Sequence, residues 1–186
     1  MKLEGLKVID LSWFLPGPYL TLALADHGAE VIKVEPPGEG DPLRRWRKMH
    51  EGTSLWWYLQ SRNKKSIAVN LKSPEGLDIV KQLAASADVV VENFRPGVLD
   101  RWGLGYPVLT ARNPSLVMVS VSGFGATSPE SQRQAYAPVL HAEAGLAGQI
   151  LGGDKAVLAV RGRSRRASVS LHRLRRRQGG GRVGRG

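Results

Sequence analysis

The sequence predicts an α/β fold, a Rossmann-like open parallel sheet, and three observations carry that expectation. Short apolar or β-branched runs at 6–11, 29–35, 66–70, 88–92 and 115–122 alternate with stretches of helical character. The first two runs flank a helical segment, giving the strand–helix–strand unit that builds a parallel sheet with a right-handed crossover. Most of the runs lead into loops carrying Pro, Gly or Asn, and open sheets of this kind bind ligands outside the carboxyl ends of their strands.

Residues 6–11 (LKVIDL) form a first strand that stops at a Ser-Trp-Phe-Leu-Pro-Gly-Pro turn. Residues 19–27 carry Ala and Leu without Gly or Pro; Pro18 suits a first helical turn and Gly28 the position just past the end, so a helix follows. Residues 29–35 (AEVIKVE), closed by Pro36-Pro37-Gly38, complete the unit. Residues 39–54 are polar, with a basic cluster at Arg44, Arg45, Arg47 and Lys48 and a Glu51-Gly52 turn, and are expected as a surface excursion rather than sheet. Trp56, Trp57 and Tyr58 then form an aromatic cluster expected in core or interface. After the strand at 66–70, Ser73 is the expected N-cap of a helix, with Pro74 at its first position and Glu75 favouring the positive end. That helix runs to Ser86 with Leu77, Val80, Leu83 and Ala84 on one face. Residues 88–92 (DVVVE) read as a buried strand, 98–102 and 108–112 as short helices, and 115–122 as another strand. A helix is expected over 137–150, weakened by Gly145 and Gly148.

Composition narrows the function classes. The chain of 186 residues has a formal charge of +11, from 27 Lys and Arg against 16 Asp and Glu. Residues 161–186 hold ten Arg and no acid, so residues 1–160 carry 17 basic against 16 acidic groups. The body is therefore near neutral and is not expected to bind nucleic acid. Without cysteine there is no disulfide, thiolate metal site or Cys nucleophile. Charges at Lys2, Glu4, Lys7 and Asp10 argue against a signal peptide, and no apolar run approaches the roughly 20 residues of a membrane span, so a cytoplasmic protein without a membrane partner is expected. His27, His50 and His141 lack metal-ligand spacing. Glu35 ends the second strand as a ribose-binding acid would in a dinucleotide enzyme, but the first loop lacks G-x-G-x-x-G. Asp10 is expected to cap the first strand rather than to catalyse.

The motif-level signal is the colinear order of several loops. Gly-Leu-Lys-Val-Ile-Asp-Leu at 5–11 is followed by Ala-Glu-Val-Ile-Lys-Val-Glu-Pro-Pro-Gly at 29–38 and by Asn63-Lys64-Lys65-Ser66-Ile67. Val91-Glu92-Asn93-Phe94-Arg95-Pro96-Gly97, then Leu104-Gly105-Tyr106 and Ser122-Gly123-Phe124-Gly125, complete the order. Over about residues 3–153 this resembles the family III CoA-transferases, which include formyl-CoA and carnitine CoA-transferases, with α-methylacyl-CoA racemases as relatives. The resemblance implies that the chain is the N-terminal part of that fold, that coenzyme A (CoA) or acyl-CoA is a substrate rather than a permanently held cofactor, and that a carboxylic acid accepts the CoA.

CoA carries a diphosphate, a ribose phosphate and a pantetheine arm, so it calls for fixed cations, backbone donors and an apolar groove. By the resemblance, Asn93, Phe94 and Arg95 lie along the CoA, Arg101 reaches a phosphate, and Lys64 and Lys65 border the nucleotide. Phe14, Leu15 and Pro16 form the loop under the pantetheine or adenine. Tyr136 stands where racemase relatives carry a catalytic His and is followed by Ala137, which favours transfer over racemisation and leaves Tyr136 as a CoA-side residue. Pro36 replaces an Arg found in some formyl-CoA transferases, and Arg44 or Arg45 is expected to replace that cation.

In the family an Asp carboxylate attacks the donor thioester to give a mixed anhydride, CoA thiolate returns to form an aspartyl-CoA thioester, and the acceptor carboxylate completes the exchange. That Asp falls beyond Gly153, where residues 155–168 (KAVLAVRGRSRRAS) contain none, and Asp154 belongs to a preceding turn. No catalytic residue is assigned, and the chain is expected to be inactive alone. Residues 161–186 read as an Arg/Gly-rich tail of frameshifted or non-native character, because GC-rich Arg and Gly codons read one nucleotide later give Ala-rich helix; a coding sequence with no good alternative frame past Val160 would sink this reading. The alternatives are an acyl-CoA racemase relative and electrostatic nucleic-acid binding by the tail, which lacks interleaved aromatics. The full-length relative is expected to form an interlocked homodimer.

Overall fold

A computed structural model of the chain describes residues 1–144 and the backbone of 168–172. Strand β1 (Lys7–Asp10) leads through a tight loop into helix α1 (Pro16–Asp26), which returns to β2 (Glu30–Glu35). The helix begins two residues before Pro18, because Pro16 already has the φ that a first turn needs and lacks the N–H that the turn would leave unpaired. It ends at Gly28, whose φ of +103° favours a residue without Cβ.

The excursion after β2 is more structured than its polarity predicts. Asp41 caps a short 310 turn, Pro42–Arg45, and Leu43 within it is fully buried. Strands β3 (Met49–His50) and β4 (Thr53–Ser54) pair as a small antiparallel hairpin around Glu51-Gly52, so the expectation of no sheet here is corrected. Both turn residues have positive φ, 47° and 75°, the geometry that closes a two-residue hairpin. Helix α2 (Leu55–Ser61) then carries the aromatic cluster; Trp57 is buried and Tyr58 exposed.

Strand β5 (Lys64–Ala68) starts two residues earlier than its apolar pattern suggests. Its N-terminal residues are lysines whose partners lie on other elements, which the pattern cannot register. Helix α3 (Pro74–Ala85) forms as read: Ser73 Oγ accepts from the Gly76 amide at 3.1 Å, and Val80 and Ala84 are buried. Strand β6 (Val89–Glu92), helices α4 (Val98–Arg101) and α5 (Tyr106–Arg112), and strand β7 (Val117–Ser122) follow. Helix α6 (Ala137–Glu143) matches the start of the expected helix over 137–150; residues 145–150, like Asp154, lie outside the described residues.

The main sheet has the order β5-β2-β1-β6-β7, all parallel, with β8 (Ser168–His172) antiparallel on β7. The sequence gives no signal for β8, and the rest of the Arg/Gly-rich tail lies outside the described residues. Alternate residues of β1 serve the two faces. Val8 packs with Ala25, Ala29 and Val91 on the α1 side, while Ile9 packs with Val80, Leu109 and Met118 on the side of α3 and α5. The chain builds outward from β1 to β2 and β5, then returns to place β6 on the other side of β1. The carboxyl ends of β1 and β6 therefore diverge at a topological switch point, where doubly wound sheets leave a crevice. No helix among the described residues is long and apolar enough to cross a membrane.

Candidate CoA-binding site

At the switch point the two strand ends are tied directly. Asn93, just past β6, accepts from the Trp13 amide with its Oδ1 at 2.7 Å and donates from its Nδ2 to the Trp13 carbonyl at 2.8 Å. A single side chain thus satisfies both backbone polar groups of one loop residue across 80 residues of sequence. The Phe94 ring packs edge-on against Trp13 at 5.6 Å and against Trp102 at 5.2 Å, joining the loop to the end of α4. Glu92 Oε2 accepts the Phe94 amide at 2.8 Å. Burial raises the Glu92 pKa, against the opposing pull of the Ser120 hydroxyl and that amide.

The first loop is held from below by a buried ionic cluster that the motifs do not announce. Asp10, with no exposed surface, accepts from the Ser12 amide at 3.0 Å and from the Ser12 and Thr21 hydroxyls, each at 2.5 Å. Its Oδ2 lies 3.3 Å from Lys64 Nζ, which also donates to the Pro18 carbonyl and the Thr21 hydroxyl, each at 2.7 Å. Burial pulls the Lys64 pKa down, with Asp10 acting against it. Lys33 Nζ donates to the Ser12 carbonyl and pairs with Asp41 Oδ2 at 3.1 Å. Among these contacts Phe14 takes a φ of 62°, a left-handed conformation that costs a non-glycine residue about 1–3 kcal/mol and persists where neighbours over-determine it. Gly17 is buried against Ser12, and a Cβ there would overlap that side chain.

The candidate residues therefore divide. Phe14, Leu15, Pro16, Asn93, Phe94, Arg95 and Arg101 meet at the carboxyl edge around the switch point, with Phe14, Arg95 and Arg101 exposed. A Cβ on Gly97 would lie 3.6 Å from Arg101 Nη1, so that guanidinium lies over the Arg95–Gly97 turn. Tyr136 is exposed just before α6, in a segment drawn to the end of β7 by close approach of Ala135 to Gly123. Lys64 points inward and Lys65 turns to the opposite edge, where it pairs with Glu30 at 2.5 Å; neither ammonium joins the arginines.

Arg44, expected in place of the cation lost at Pro36, is already engaged within the fold. Its guanidinium forms a bidentate pair with Glu35, 2.7 Å from Oε2 and 2.9 Å from Oε1, and lies 3.9 Å over the Trp57 ring. Arg45 is exposed and paired with Glu39 at 3.2 Å. Burial pushes the Glu35 carboxyl up, but Arg44, the Ser66 hydroxyl and the Asp41 amide together outweigh it and hold the pKa at about 2. Because this value lies below the ordinary 4.5, the stabilisation is fully present above about pH 4.5 and is lost as pH falls through about 2. Acid unfolding followed by circular dichroism is expected to show a loss of roughly 3 kcal/mol from this group over that window, which Glu35→Gln removes.

Pro16 and Pro18 lack an N–H, which removes two of the donors that the start of α1 would otherwise offer an anion. Among the described residues no group of three or more His, Asp or Glu is arranged to hold a metal ion.

Fold and site together define an open, doubly wound α/β protein whose first loop and β6 loop are tied at the switch point. The model of CoA-transferase family III matches residues 3–161, and the chain belongs to that family. Succinyl-CoA–D-citramalate CoA-transferase of Chloroflexus aurantiacus is 47% identical over 156 residues, covering 83% of this chain and 37% of its own length. Succinyl-CoA:glutarate CoA-transferase of Homo sapiens is 50% identical over 145 residues, covering 77% of this chain and 33% of its own. The crystal structure of a CAIB/BAIF family protein from Brucella suis superposes with a TM-score of 0.74 at 41% identity, over 78% of this chain and 39% of that one. The chain thus spans about a third of the length of the curated relatives it matches.

Proposed function

We propose that residues 1–160 are the CoA-binding portion of an enzyme that moves CoA from an acyl-CoA donor to a carboxylic acid, and that this chain binds CoA without completing transfer. The observation that carries the reading is the junction at the switch point, where Asn93, two residues before Arg95, grips the amide and the carbonyl of Trp13 at the head of the Phe14–Pro16 loop. Such an edge offers an apolar ledge for pantetheine and two guanidinium groups for phosphate. The family's succinyl-CoA and oxalate transferases support a dicarboxylate-handling reaction class for the whole protein.

The carboxylates at this edge fit binding better than nucleophilic attack. Asp10, Glu35 and Asp41 are buried and paired with Lys64, Arg44 and Lys33 respectively, and Glu92 is buried against the Phe94 amide. A nucleophile must reach a thioester carbon, and none of these four is free to do so. In this reading the catalytic Asp lies outside the described residues and the tail from about Arg161 is not the family's own continuation. In this reading the full-length protein is an interlocked homodimer; the exposed Tyr19, Leu55, Tyr58 and Leu59 on α1 and α2 support coverage of that face by more protein.

Calorimetric titration with CoA and with pantetheine tests the reading. CoA is expected to bind saturably and pantetheine at least about a hundredfold more weakly, since two charge-assisted contacts of roughly 1.5–3 kcal/mol each go to the nucleotide end. Equal affinity for the two, or no heat with either, would refute it.

A further inference from the structure

No role given so far to the first loop uses the Lys33–Asp41 pair beneath it. Lys33 lies between Ile32 and Val34 in β2, directly opposite Asp10 in register, and its side chain is 2% exposed. Asp41 begins the 310 turn after β2 and is fully buried. A buried ion pair of this kind is seldom more stabilising than well-packed apolar residues, so its effect is better sought in the geometry it imposes.

That geometry joins two loops. Lys33 Nζ donates to the Ser12 carbonyl in the first loop and pairs with Asp41 at 3.1 Å in the second, with Asp10 Oδ1 4.0 Å away. Asp41 Oδ1 accepts the Phe14 amide at 3.3 Å and the Leu43 amide at 2.8 Å, while its own amide donates to Glu35 at 2.8 Å. The Phe14 ring in turn meets Trp46 edge-on at 6.3 Å, so the loops touch above the pair as well as through it. Phe14 is the residue held at φ 62°, and its amide is one of the two that Asp41 anchors.

We infer that Lys33 and Asp41 are positioning residues for CoA: their ion pair locks the Ser12–Pro16 loop to the Asp41–Arg45 turn and holds Phe14 left-handed before the ligand arrives. The inference rests on the CoA reading above. Neither side chain is accessible to ligand; both act through the backbone of Ser12 and Phe14. A ledge set in advance loses less freedom on binding and gains affinity for that reason.

The test uses Asp41→Asn, which is isosteric and leaves Lys33 its Ser12 carbonyl and Asp10. A second variant, Lys33→Met with Asp41→Asn, removes both charges together and avoids an unpaired buried ion. Thermal unfolding, hydrogen exchange of residues 12–15 and calorimetric CoA binding are measured on each variant and on the unaltered chain. Folded variants are expected, with faster exchange in 12–15 and CoA binding weakened about tenfold, the range set by loss of a preorganising shell. Unchanged CoA affinity or unchanged loop exchange in whichever variant folds overturns the inference, as does failure of both to fold, which would make the pair purely structural. If the unaltered chain binds no CoA, the CoA reading itself fails and takes this inference with it. Binding that persists unaltered in the variants overturns the inference alone.

Discussion

Replacing Arg95 and Arg101 together by alanine is expected to weaken CoA binding by at least about a hundredfold while leaving the melting temperature unchanged within about 2 °C. Both side chains are exposed beside the switch point, and Pro16 and Pro18 remove two backbone donors from the start of α1, so in the CoA reading the phosphates go to guanidinium groups. Two charge-assisted contacts, each roughly 1.5–3 kcal/mol, account for the size of the effect. Neither arginine is in the hydrophobic core, which is why stability should not follow affinity. Calorimetry beside thermal melting checks both halves. Unchanged CoA affinity would refute the assignment of the phosphate end to this edge.

Asp10→Ala is expected to have the opposite signature, a large loss of stability. The carboxylate is fully buried, receives hydrogen bonds from Ser12 and Thr21, and stands 3.3 Å from Lys64 and 4.0 Å from Lys33. Removing it leaves two ammonium groups in low dielectric with reduced compensation, and breaking such a pair costs about 3–5 kcal/mol. For a chain of this size that corresponds to a fall of roughly 10–15 °C in melting temperature. Asp10→Asn retains the Oδ1 acceptor for Ser12 but turns the acceptor of Thr21 and Lys64 into a donor, and should fall less than Asp10→Ala. A melting temperature within about 2 °C of the unaltered chain in Asp10→Ala would show that the cluster contributes little.

Much of the fold is legible because its punctuation is local. Pro16, Pro18 and Gly28 bound α1, Ser73 and Pro74 open α3, and each acts through its own backbone chemistry. The same holds for the loop sequences that carry the family resemblance, since Asn93 and Phe94 stand where that pattern expects and do meet the first loop. What the sequence hides is partnership over distance. Lys64 and Lys65 read as one basic pair, yet one points inward to Asp10 and the other outward to Glu30. Arg44 reads as a spare cation, but Glu35 and Trp57 already hold it. Asp41 falls in the polar stretch 39–54, yet it is fully buried and paired with Lys33, which sits between Ile32 and Val34 in β2. Polarity misleads in the same way over 39–54, where a 310 turn and a hairpin replace the plain excursion.

The central claim is that CoA lies across the junction of β1 and β6. Hydrogen–deuterium exchange of the intact chain, with and without saturating CoA, tests it most directly. Protection on binding is predicted in residues 12–16 and 93–101, with α3 and α5 unaffected. Protection confined to other segments, or none at saturation, would contradict the claim.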